Sequence, residues 1–199
     1  MSQKSEMKVA TRLALGFGTV CVLGIGVATF GMVEMRTLAA DLDDVANSKM
    51  VKVEQFTQVV NNLNDVGRYV RNIALNPDPA FRDAEQKKIA ERRADNAKLL
   101  AELNKTVQLP KGRELLKVID DTRGPYNKEL DQVIELSKAG KNTEAVALLL
   151  GPVREKQNVL FKAAIDSNAL QKDAADDRAA EALTAANRDS MLLIGLAAL

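Results

Sequence analysis

Residues 53–75 read VEQFTQVVNNLNDVGRYVRNIAL. Within them Val53, Phe56, Val60, Leu63, Gly67, Val70 and Ala74 recur at steps of three and four. That spacing lines one side of an α-helix and does not fit the period-two alternation of a strand. The same pattern returns downstream as Leu115, Ile119, Thr122, Tyr126, Leu130 and Val133. It is sparser in Leu99, Leu103 and Val107, and in Val153, Leu160 and Ala164. Three breaker clusters separate these segments: Asn76-Pro77-Asp78-Pro79, Leu109-Pro110-Lys111-Gly112 and Ala139-Gly140-Lys141-Asn142-Thr143. Proline and glycine stop helices there, and Asn142 or Thr143 is suited to cap the next one. Helices are therefore expected at about 34–75, 79–108, 112–138 and 143–190. Short links between them imply an all-α, antiparallel up-down four-helix bundle.

Upstream of the stripe, Leu13–Val33 carries no charged residue. Its length of about 21 residues suits a helix crossing a hydrocarbon core of roughly 30 Å. The stretch is longer than the apolar core of a signal peptide, and Gly26–Met32 has no clear small-x-small cleavage site. Gly24 and Ala28 give a small-xxx-small spacing for close helix packing. A second apolar run begins at Met191 and reaches Leu199, and it reads as the start of another span. The expected organisation is a short N-terminus over 1–12, a transmembrane helix over 13–33, a sensor domain over 34–190 and a truncated second span over 191–199. Lys4, Lys8 and Arg12 precede the first span against Glu6 alone, while Glu34, Asp41, Asp43 and Asp44 follow it with Arg36. By the positive-inside rule the N-terminus is cytoplasmic and the sensor domain periplasmic, in a bacterial inner membrane. Both outer helices then continue into the membrane, so a shift of the last one can be transmitted through it.

Composition excludes several function classes. Histidine is absent, and the only cysteine, Cys21, lies in the apolar run. No disulfide framework, metal site or cofactor is expected, and the commonest acid–base catalyst is missing. No convergent carboxylate pair sits beside a nucleophile, so no enzyme is expected. The net charge is +1, without a basic stripe, which argues against nucleic acid as a partner.

Several local motifs resemble one family. They are Met7-Lys8-Val9-Ala10-Thr11-Arg12-Leu13 before a glycine-rich span, Arg68-Tyr69-Val70-Arg71-Asn72 before the first hairpin, and Gly140-Lys141-Asn142-Thr143-Glu144-Ala145 at the third. Their order and spacing resemble the N-terminal part of a methyl-accepting chemotaxis receptor with a four-helix-bundle ligand-binding domain. The resemblance covers essentially the whole chain. It implies a homodimer, a small-molecule attractant or repellent, and a cytoplasmic signalling region that this sequence does not contain. It also implies ligand-contacting arginines on the first helix near the dimer interface, at positions matched by Arg68 and Arg71.

Polar residues on apolar faces are the candidate site, because a buried charge is costly unless something pairs with it, and a ligand can. Arg123 falls in the arc of Leu115, Ile119, Tyr126 and Leu130, next to a kink expected from Pro125. Arg92 and Asn96 fall on the arc of Ile89, Leu99 and Leu103. Asn61, Asn64, Arg68 and Arg71 flank the first stripe, where Gly67 leaves room. The expected ligand-binding set is Asn64, Arg68, Arg71, Arg92, Asn96, Arg123 and Tyr126. Arginines favour a carboxylate, which their planar fork grips with two hydrogen bonds. The leading reading is a chemoreceptor sensor for a small organic or amino acid. The alternatives are the sensor of a membrane histidine kinase and a ligand-free structural membrane protein.

Overall fold

The computed structural model describes residues 8–197, and these form helices with no strand among them. They run α1 (Val9–Asp44), a π-helical turn (Val45–Lys49), α2 (Met50–Leu75), α3 (Pro79–Thr106), α4 (Pro110–Lys138), α5 (Asn142–Leu150) and α6 (Pro152–Ala197). The expected N-terminal charges Lys4 and Glu6 lie outside the described residues, as does the end of the second apolar run. The chain divides into two compact units, residues 46–175 and residues 1–45 with 176–199.

The larger unit is a bundle of α2, α3, α4 and the first half of α6. Its hydrogen bonds tie the helices in a closed ring. Asn62 and Asn72 of α2 reach Asn96 and Glu85 of α3. Arg93 and Asn104 of α3 reach Asp131 and Asp120 of α4. Lys156 of α6 reaches Glu129 of α4, and Asn168 of α6 reaches Thr57 of α2. In the α2–α3 and α3–α4 pairs, numbering rises on one helix as it falls on the other, so the packing is antiparallel. Phe56, Ile73, Leu103, Leu116, Ile119, Tyr126, Leu130 and Leu160 fill the centre, almost wholly removed from water.

The breakers act as their chemistry dictates. Asp78 caps α3 by accepting from the Ala80 N–H at 3.0 Å, with Pro79 in the first turn where its missing N–H costs nothing. Gly140 closes α4 at φ +74°, a left-handed conformation that glycine adopts without a Cβ clash. The Lys141 N–H then reaches back to the Leu136 carbonyl at 2.9 Å.

Three local expectations need correction. The helix expected over 143–190 breaks at Gly151, giving α5 and α6. The Leu150-Gly151-Pro152 sequence is a breaker because Pro152 has no N–H to continue the ladder. A side chain at Gly151 would sit 3.2 Å from the Ala147 carbonyl oxygen. Neither Asn142 nor Thr143 caps α5, which starts at Asn142 without a side-chain cap. The first helix also holds a π-helical turn at Val45–Lys49 that no proline or glycine announces.

The smaller unit pairs α1 with the end of α6, again antiparallel. Arg178 binds Asp41 at 2.6 Å, and the Gly31 backbone lies close to Leu193. Leu13–Val33 lies in a helix long and apolar enough to cross a membrane. Leu13, Leu15, Phe17, Val20 and Ile25 are each more than half exposed, as a lipid-facing surface requires.

Candidate functional site

Eight arginines lie in the bundle, and the structure sorts them by partner. Arg68 binds Asp65 at 2.7 Å and stacks over the Tyr69 ring at 5.2 Å. Arg92 also approaches Asp65, and reaches Asp95 on its own helix, both at 3.5 Å. Arg93 binds Asp131, and Arg123 pairs with Asp120 at 3.9 Å. Arg82 donates to the carbonyls of Ile73 and Asn76, closing the first hairpin, and Arg113 donates to that of Asn104. Of these eight, only Arg71 and Arg154 have neither a carboxylate nor a carbonyl partner, and both line the same cavity.

That cavity holds about 560 Å³ between α2, α5 and α6. Its size falls in the ordinary range for small-molecule sites. Arg71 and Asn64 come from α2, and Arg154, Gln157 and Asn158 from the first turns of α6. A spacing of seven on α2, and of three and four on α6, brings each set onto one helix face. The opposite wall is apolar: Val146, Leu149 and Leu150 from α5, and Phe161 from α6. The break at Gly151 makes α5 a separate helix, and its side chains line the cavity beside those of α6.

Beneath the cavity, Gly67 leaves a slot. A Cβ there would lie 3.6 Å from the Gln157 amide and 3.9 Å from the Tyr126 hydroxyl. Tyr126 is 1% exposed, and its hydroxyl has no hydrogen-bond partner. Burial pushes that hydroxyl up to about 12, against the opposing pull of Arg93 and Arg71, so it stays a neutral donor at physiological pH. An unmade hydrogen bond inside a well-packed bundle is expensive, and its place directly below a cationic pocket marks it out.

Of the expected site residues, Asn64 and Arg71 line this cavity, and Tyr126 lies next to it across Gly67. The others are placed elsewhere. Asn96 is buried at the α2–α3 seam, accepting from Asn62 at 2.8 Å and donating to the Val59 carbonyl. Arg92 lines a second, polar groove of about 330 Å³ with Asn61, Asp95 and Lys98. Arg68 points at Asp65 on the exposed side of α2. Arg123 is half-buried at the edge of the apolar face, and α4 runs through Pro125 as one helix. Arg154, Gln157, Asn158 and Phe161 were missing from the expectation. Their spacing on one face behind a Gly-Pro break was the available signal.

The α2–α3 seam also contains Glu85, which is buried. Desolvation would raise its carboxyl, but hydrogen bonds from Lys88 and Asn72 outweigh this and hold it below the usual range. No group of histidine, cysteine and carboxylate side chains among the described residues can hold a metal ion.

A family model described as a four helix bundle sensory module for signal transduction matches residues 6–186. The chain belongs to that family, whose role is sensory rather than catalytic. No curated protein matches the chain.

Proposed function

We propose that this sensory module is the receiving part of a chemoreceptor that binds a small organic or amino acid as its anion in the cavity between α2, α5 and α6. The carrying observation is the pair Arg71 and Arg154. They are the arginines of the bundle without an internal partner, and they meet over one concave, partly apolar surface. A carboxylate docks on the guanidinium forks, and Asn64, Gln157 and Asn158 complete its hydrogen bonds. Tyr126 supplies a neutral donor at the floor. The module is anchored through α1 in the bacterial inner membrane with the bundle in the periplasm, on the flanking-charge argument. The ligand pulls the start of α6 toward α2, and α6 carries that shift to a second span and a cytoplasmic signalling region. A second copy of the chain is the expected partner.

The test is a thermal-shift screen of organic and amino acids on the full chain in detergent, run beside the Arg71→Ala/Arg154→Ala double variant. Binding stabilises the folded state by mass action. At least one carboxylate should raise the melting temperature of the wild type and leave that of the double variant unchanged. Equal shifts in both proteins would refute the site. A complete absence of shifts would favour a ligand-free structural role.

A further inference from the structure

The lining of the cavity says more than its net charge. Two guanidinium groups and three amides supply the polar part, and no Asp or Glu belongs to it. The carboxylates nearest in sequence are occupied or turned elsewhere. Asp65 holds Arg68 and Arg92, and Glu129 holds Lys156 at 2.6 Å. Glu155, beside Arg154, is exposed and outside the cavity.

An α-amino acid brings an ammonium group as well as a carboxylate. Sites for such ligands need an acceptor of full or partial negative charge for that ammonium. Here the acceptors are the neutral amide oxygens of Asn64, Gln157 and Asn158 alone, and the ammonium would lie close to two guanidinium groups with no carboxylate to offset them. A charge that leaves water for neutral partners only is costly, and like charges nearby add to that cost. Discrimination of this kind comes from the element that repels as much as from the one that attracts. The carbon side of the cavity is equally specific. Val146, Leu149, Leu150 and Phe161 form an apolar surface next to the arginines. A short polar acid would leave that surface wet, whereas a branched or aromatic body would cover it at about 25 cal/mol per Å² buried.

We infer that the ligand is a carboxylate with a compact apolar body and no ammonium group, the class to which deaminated branched-chain and aromatic amino acids belong. This rests on the proposed carboxylate site and narrows its occupant from organic or amino acids to one chemical class.

The test compares molecules that differ by one group. 4-Methylpentanoate is leucine without its ammonium, and succinate is an anion of similar length without the apolar end. Each is titrated by calorimetry into the full chain in lipid nanodiscs. 4-Methylpentanoate should bind at least 10-fold more tightly than leucine and than succinate, and Arg71→Ala should weaken it 10- to 100-fold. Val146→Asp places a carboxylate in the wall at a residue that is 43% exposed, so the fold tolerates it. That variant should narrow the gap between 4-methylpentanoate and leucine to less than 3-fold. If leucine or succinate binds as tightly as 4-methylpentanoate, and does so through Arg71, the inference is overturned while the anion site stands. If none of the three binds the wild type, the inference is overturned and the thermal-shift screen decides the site on its own.

Discussion

The bundle gathers polar side chains in two regions, one a buried seam and one an open cavity, with opposite outcomes. At the α2–α3 seam, Asn62 meets Asn96, Asn72 meets Glu85, and Arg92 meets Asp65 and Asp95. Asn62, Asn72 and Asn96 donate to acceptors inside the chain, and Arg92 has two carboxylates in ion-pair range although its buried Nε makes no hydrogen bond. In the cavity between α2, α5 and α6, Arg71 and Arg154 have no such partner, and the Tyr126 hydroxyl below them is unpartnered. Both regions look alike on a helical wheel, because a wheel records which way a residue faces and not what it meets. An inward polar residue is structural when the chain completes it, and a candidate for ligand contact when the chain does not.

The largest effect separates the two regions by stability. Asn96→Ala should leave the Asn62 amide unpaired beside a void and cost about 2–3 kcal/mol of folding free energy. Carboxylate binding to the folded protein should be unchanged. A loss of affinity with intact stability would move Asn96 back into the site and break the distinction.

Arg71→Ala should do the reverse. Losing a charged hydrogen-bond donor of about 1.5–3 kcal/mol weakens a carboxylate by roughly 10- to 100-fold. Chemical denaturation should show little change in stability, since no partner is orphaned. A drop comparable to that of Asn96→Ala would mean Arg71 is a structural residue.

Gly67→Ala sharpens the comparison by changing sign between readouts. The added methyl makes ordinary contact with Gln157 and Tyr126 and removes a helix-interior glycine, which should stabilise by up to about 1 kcal/mol. It also closes the slot above the tyrosine, which should weaken binding by roughly 3- to 10-fold through loss of one neutral hydrogen bond. Stabilisation with unchanged affinity would remove Tyr126 from the site.

The smallest effect is a pH slope. Glu85 has a depressed folded pKa, so the unfolded state binds its proton first as pH falls. Its contribution is complete above the ordinary glutamate range and is lost as pH drops through the folded value. Lys88 is raised, chiefly by its hydrogen bond to Glu85, so its share is present below the ordinary lysine range and is lost as pH rises past the folded value. Glu85→Gln should flatten the acid limb of a stability–pH curve and leave ligand affinity at neutral pH untouched. An unaltered acid limb would show that the seam is held by its neutral amides alone.

The helices were legible because their signals are local. Phe56, Leu63, Gly67, Val70 and Ala74 of the first stripe are buried, as the period requires. Val59, Val66 and Ile73 are buried too, because α2 packs against α3 on one side and α6 on another and needs a wider face than a single stripe. The site was only half legible. Asn64 and Arg71 could be found from α2, but the complementary face depends on where α6 begins. That is decided by Gly151 and Pro152, which lie within a segment that otherwise reads as one helix. Whether Arg92 or Asn96 has a partner is a matter of contact between helices, which no single helix encodes.

The short helix α5 sets a timescale. It has nine residues, one fully buried, Ala145, with Leu148 and Leu149 partly buried against the core, and it lies between Gly140 and Gly151. A helix of that length is marginal alone, and segments with so few buried contacts open far more often than the whole fold. The wall of the cavity is therefore among the quickest parts of the bundle to open. On the proposed reading, an occupant beside such a wall would exchange quickly, and the module would follow the present level of its ligand with little memory of the past.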